Sequence, residues 1–327
     1  MPPAEPLVVD DSAASPDLAA LRRALDVRDW DAATGVLAGP RTDGRTMLIR
    51  WAAKDADLDF LRKIHESDPA DSTAGAMLGE RLILDAWAIR STRRARHVSQ
   101  AQFDAFHAGL VEAEQVLAAT AAHDPADPAV WTSRLKTARG LEMGEAETRR
   151  RYAALAAIDP HHTSGQWQLM QRLCPKWSGS LDAMHAFARE CMLAAPEGGH
   201  AGFLVADAYL EEVGDLPDAA AQSRFLGHRS VRAALREAAA RSVLHPSFTR
   251  TPGWVQVAGT FGMILSYAGE LDLAHRSFQL VGPWVSAYPW GATADPVGYF
   301  RRIRAESATG RQRATAAVRR ALGRPPR

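Results

Sequence analysis

Apolar and polar positions along the chain follow helical spacing rather than the strict alternation of strands. The stretches TMLIRWAAKDADLDFLRKIHES, STAGAMLGERLILDAWAIRSTRRARHV and VSQAQFDAFHAGLVEAEQVLAATAAH read as helical segments, the second of them amphipathic. A first helix is expected over Pro16 to Asp26, with Ser15 as its cap and Pro16 in its first turn. Helical segments stop before Asp68-Pro69, Asp124-Pro125, Pro160 and Pro196, because proline lacks the N–H and clashes with the preceding turn.

The stops are periodic. Pro125 and Pro160 are 35 residues apart, Pro160 and Pro196 are 36 apart, and Gly144, Gly179 and Gly214 fall at intervals of 35. Each glycine lies between two helical stretches, where a turn between antiparallel helices needs a permissive φ. A cycle of helix, glycine turn, helix and proline stop is one αα-hairpin, and such hairpins bury their apolar stripes by stacking. The interval from Gly214 to Gly269 is 55, so an extra helix or a long excursion is expected to break the stack there.

The stretch AGTFGMILSYAGELDLAHRSFQLV resembles a tetratricopeptide-type repeat. Phe261-Gly262 stand where that family places a large and a small residue, with Leu265 on the same face. Gly269 fits the inter-helix turn, Ala274 and Phe278 fit the second helix, and Val281 replaces its usual alanine. Leu78-Gly79 and Leu82 repeat the first-helix pattern, while the repeats over 130–214 lack the first-helix glycine. The resemblance covers about residues 60–285. It implies an all-α fold of stacked antiparallel helix pairs, an α-α superhelix whose concave face holds a peptide or protein partner.

Beyond this array, VGPWVSAYPWGATADPVGYF carries Pro283, Pro289 and Pro296 and five aromatic residues, and reads as a structured plug with a last helix at 310–322. The expected organisation is a flexible segment at 1–16, one helical-repeat domain at 17–300 with an irregular segment at 282–300, and a basic helix or tail at 301–327.

Composition narrows this picture further. Sixty-two of 327 residues are alanine, which favours helix and argues against an all-β fold. The net charge of +1 combines an acidic start, with Glu5, Asp10, Asp11 and Asp17, an end with nine arginines over 301–327, and a slightly acidic body between them. Of the 39 bases 35 are arginine, throughout the chain, so the basic end is weak support for nucleic acid. The opening segment lacks the pattern of a signal peptide and no run of eighteen apolar residues occurs, so a cytoplasmic protein without a membrane partner is expected.

No nucleotide-binding, zinc-protease, serine-hydrolase or paired-cysteine motif is present, so no cofactor or metal is assigned. Cys174 and Cys191 are expected to be small buried side chains. The densest polar and aromatic stretch, residues 159–180, offers His161, His162, Gln166, Trp167, Arg172 and Trp177 as a carboxylate or peptide clamp with arginine as the bidentate fork. The competing reading is packing between repeats with polar neighbours in water. Asp207 and Glu211 share a helix face and would form a carboxylate pair, or a solvated face. Arg93, Arg94, Arg96 and His97 form a short basic patch. Three functions follow: a repeat protein holding a peptide in its groove, a small-molecule enzyme with a pocket enclosed by helices, and a nucleic-acid regulator using the arginine-rich end.

Overall fold

Capping and turn chemistry set the helix limits. The Ser15 hydroxyl accepts the Leu18 N–H at 3.3 Å and starts α1 (Pro16–Asp26) where the sequence places it. It is followed by α2 (Trp30–Val36), α3 (Asp43–Ala53), α4 (Leu58–Ser67), α5 (Ser72–Arg90) and α6 (Gln100–His123). Next come α7 (Pro128–Gly140), α8 (Gly144–Ile158), α9 (Thr163–Leu173), α10 (Leu181–Ala194), α11 (Gly202–Gly214) and α12 (Ala219–Leu226). The last are α13 (Arg229–Arg241), α14 (Trp254–Tyr267), α15 (Leu271–Val281), α16 (Ala287–Trp290) and α17 (Pro296–Leu322). This computed structural model describes Leu7 and residues 14–90, 98–291 and 293–322, with side chains as far as Gly310. The basic patch at Arg93, Arg94, Arg96 and His97, and most of the arginine-rich end, therefore lie outside the described residues or side chains. Helix makes up 74% of the described residues and no strand occurs among them, so the fold is all-α.

Three aspartate–proline stops share one local device. The N–H groups of Asp68, Asp124 and Asp159 each bond the carbonyl four residues back, ending α4, α6 and α8. Each carboxylate then accepts the N–H two residues on, from Ala70, Ala126 and His161, at 3.0–3.1 Å. The aspartate thus turns the chain on itself while proline forbids another helical turn.

The chain forms two compact units, one spanning Ser15–Met184 and the other taking in His185–Arg327. In the first, α3, α5, α7 and α9 make an inner layer, each packed on the next, and α3 also packs on α7 and α9. Helices α4, α6 and α8 lie against that layer, α4 on α5, α6 between α5 and α7, and α8 between α7 and α9. Ile83, Leu110, Leu117, Leu135 and Leu155 are among the core residues between the layers. Gly79 sits so close to α6 that an added Cβ would lie 2.5 Å from the Leu117 side chain.

In the second unit α14 and α15 pair, and α14 also packs on α11. The long interval before Gly269 is taken up by α12 and α13 together, where a regular repeat would have one helix. Phe261, Leu265, Ala274, Phe278 and Val281 are all buried. Trp290 and Phe300, from the aromatic segment, pack on Phe278 with ring centroids 6.1 and 5.3 Å away. The last helix begins at Pro296 instead of at 310: Asp295 accepts the Gly298 N–H at 2.8 Å, and proline is tolerated in a first turn. No helix among the described residues is long and apolar enough to cross a membrane. Both cysteines are buried, as expected, and no disulfide joins them.

Gly262 tests the close approach of α14 and α15, because a Cβ there would lie 2.8 Å from the Phe278 ring. Alanine gains helix propensity worth about 1 kcal/mol, while overpacking costs about 1–3 kcal/mol. Gly262→Ala is therefore expected to lower the urea midpoint; a raised midpoint would show that the helices are farther apart.

Candidate functional site

The inner layer of Ser15–Met184 is polar where its helices face one another, and those polar groups are buried. Asp127 is fully buried ahead of α7, where it accepts the Ala129 N–H at 2.9 Å. The same carboxylate takes the Arg45 guanidinium at 3.1 and 3.2 Å and the Ser72 hydroxyl at 3.1 Å. Arg45 also donates to Thr73 at 2.7 Å and to the Leu37 carbonyl at 3.3 Å. One guanidinium thereby joins α3 to α5 and to the start of α7.

A second buried ion pair lies deeper in the layer. Lys136 on α7 donates to Glu80 on α5, whose other oxygen accepts the Ser133 hydroxyl at 2.8 Å. Arg50 on α3 approaches the same Glu80 oxygen at 4.0 Å. Burial alone would raise the Glu80 carboxyl, but the Lys136 and Arg50 charges and the Lys136 and Ser133 hydrogen bonds outweigh it, so Glu80 is held below the usual carboxylate range. Burial pushes the Lys136 amine down, the Glu80 charge opposes that, and the Arg50 and Arg139 charges add to the fall, leaving it at about 8.

These side chains line a cleft with Thr46, Ile49, Thr132, Ser164 and Gln168, drawn from α3, α5, α7 and α9. It encloses about 280 Å³ outside the atoms, part of it open to solvent. Its interior has room for about one water-sized group, too little for peptide backbone. Arg50 is one-third exposed at the cleft, lies over the Trp167 ring at 5.9 Å, and has no hydrogen-bond partner among the described residues. Gln168 accepts from Arg139 at 2.9 Å, and that guanidinium lies over the rings of Trp87 and Trp177 at 5.9 and 5.5 Å.

The residues of the expected clamp take separate places. His162 is buried and caps α9, its Nδ1 accepting the Gly165 N–H at 3.1 Å. With Nδ1 as acceptor, Nε2 carries the proton and donates to the Thr46 hydroxyl at 2.9 Å. Asp43 lies 3.4 Å from that Nδ1 and accepts the Ser164 N–H. His161 is half-buried and its Nδ1 has no partner. Gln166 is buried and donates to the Pro160 carbonyl, leaving its side-chain oxygen unpaired. Trp167 is half-buried beside Arg50. Arg172 donates to the Trp177 carbonyl across the 3-10 turn Pro175–Trp177, and the Trp177 ring faces Trp87 at 6.1 Å. Trp167, through Arg50, and Trp177, through Arg139, thus connect with the cleft.

Asp207 and Glu211 belong to the other unit, on α11. Asp207 is fully buried and accepts the Tyr288 hydroxyl, tying the aromatic segment to that helix. The neighbouring Glu212 pairs with His185 at 2.7 Å. No spacing rule joins Glu80, Arg50 and Lys136, which stand on three different helices. Two signals were available: Glu80 interrupts the apolar run AMLGERLIL, and Lys136 is one of four lysines in a chain with 35 arginines.

No protein-family model matches the chain, and no curated protein is significantly similar to it.

Removing Lys136 leaves the buried Glu80 with only Arg50 at 4.0 Å and the Ser133 hydroxyl, a loss of up to about 3–5 kcal/mol, whereas removing both members of the pair is nearly neutral. Lys136→Met alone is thus expected to lose about that much stability in urea unfolding, and Glu80→Gln with Lys136→Met to recover most of it. A single variant within 1 kcal/mol of wild type would contradict the burial of the pair.

Proposed function

We propose that the chain is a tetratricopeptide-like interaction protein that captures a peptide or protein segment by one carboxylate, held in the cleft between α3, α5, α7 and α9. The carrying observation is the Arg50 guanidinium beside the Lys136–Glu80 pair, 4.0 Å from Glu80 and without a hydrogen bond among the described residues. Two cations against one carboxylate leave a net positive charge, and arginine presents a planar fork that matches a carboxylate. The Thr46 hydroxyl accepts from His162, so its own proton is available to the ligand. The open mouth of the cleft at Arg50 suits a carboxylate group, while the Trp167, Arg139 and Trp177 side chains suit the residues that precede it. The turns at Gly144 and Gly269, both at positive φ, the proline stops and the Gly262–Phe278 contact support the tetratricopeptide-like reading; Gly179 and Gly214 lack that conformation.

A pool of short peptides with free C-terminal carboxylates is expected to quench or shift tryptophan fluorescence, and the same pool amidated to bind much more weakly. A charge-assisted hydrogen bond is worth about 1.5–3 kcal/mol, so Arg50→Ala should weaken binding by about ten- to a hundredfold. Equal affinity for free and amidated peptides would remove the carboxylate from the reading.

A further inference from the structure

Lysine is rare in this chain. Lys54, Lys63 and Lys176 are exposed, whereas Lys136 is buried at the cleft. Its ammonium has three N–H groups, and among the described residues only Glu80 accepts one. Arg50 approaches the same carboxylate oxygen from α3 at 4.0 Å and makes no hydrogen bond among the described residues, so an amine and a guanidinium flank one small space. The Ile49 and Ala129 side chains add apolar wall, and the Thr46 hydroxyl adds a proton donor. A desolvated lysine beside other cations is the arrangement that turns an ammonium into a nucleophilic amine.

We propose that Lys136 is a reactive amine that forms an imine with a small carbonyl compound bearing a carboxylate, such as a 2-oxo acid. The proposal rests on the reading of the cleft as a carboxylate site and adds a covalent step to it. Arg50, one-third exposed, holds the carboxylate at the open mouth of the cleft, and the carbonyl group takes the water-sized space inside, where its carbon meets Lys136 Nζ. The nitrogen lone pair forms the C–N bond as the carbonyl π pair moves onto oxygen, which takes up a proton as nitrogen loses one, giving a carbinolamine. The hydroxyl then leaves with a proton as water while nitrogen closes the C=N bond. One water is released and no electrons are exchanged, so no further reactant is needed.

The amine supports this step. With its midpoint lowered to about 8, about a fifth of Lys136 is neutral at pH 7.4, against about one in a thousand for an ordinary lysine. Lower basicity weakens the nucleophile, as it does for thiols, so a net advantage on the order of tenfold remains.

The test incubates the full-length wild-type protein with glyoxylate and cyanoborohydride at pH 7.4, then follows carboxymethylation of all four lysines by peptide mass spectrometry. Lys136 is expected to be labelled about tenfold faster than each exposed lysine, and Arg50→Ala to slow Lys136 alone. The comparison is internal to the wild-type chain, so it does not depend on a Lys136 variant folding. Labelling of Lys136 no faster than that of Lys54, Lys63 and Lys176 overturns the proposal, as does a rate unchanged by Arg50→Ala. Peptide capture reads only the held carboxylate: intact capture with unlabelled Lys136 sinks the imine alone, and loss of both sinks both readings.

Discussion

Charge placed between helices must be answered within the protein, and this constraint shapes the unit formed by Ser15–Met184. Asp127 and Glu80 are removed from water and would be costly alone. Each is met by a cation from another helix and by a hydroxyl, Arg45 and Ser72 for one, Lys136 and Ser133 for the other. The partners come from α3, α5 and α7, so charges can be satisfied only when the inner helices stand in one register. Apolar packing against α4, α6 and α8 supplies the driving force, and the ion pairs select the arrangement.

The cleft follows from the same constraint. An inner layer closed by leucines alone would leave no polar opening. Here α3 reaches α7 and α9, and the space left between them is lined by side chains that hold Glu80 in place. Lys136 both completes the buried pair and faces the cleft, which is how a structural ion pair and a reactive amine come to share one residue. The buried His162 serves two ends in the same way: it caps α9 and orients the Thr46 hydroxyl.

What the sequence made legible was local. Ser15 with Pro16, the three aspartate–proline stops and the close contact at Gly262 depend on residues within a turn or one hairpin, and the helix limits follow them. The α17 start was misplaced because Pro296, read as a breaker, stands in a first helical turn that Asp295 caps. The site was legible only in part, since its bonds join distant residues: Glu80 and Lys136 are 56 apart, and Asp207 and Tyr288 are 81 apart. No spacing rule pairs them. Arg172, singled out for its fork, turns to the nearby Trp177 carbonyl, while Arg50, in a stretch marked only as helical, stands at the cleft without a hydrogen bond among the described residues.

The central claim is that Lys136 is an amine buried against Glu80 and crowded by Arg50 and Arg139. Its most direct measurement is a heteronuclear NMR titration of the lysine side chains, four in all, with Lys136→Arg used to assign the signal. The account predicts that the Lys136 signal titrates near pH 8. A Lys136 midpoint in the ordinary lysine range, about 10.4, would contradict it.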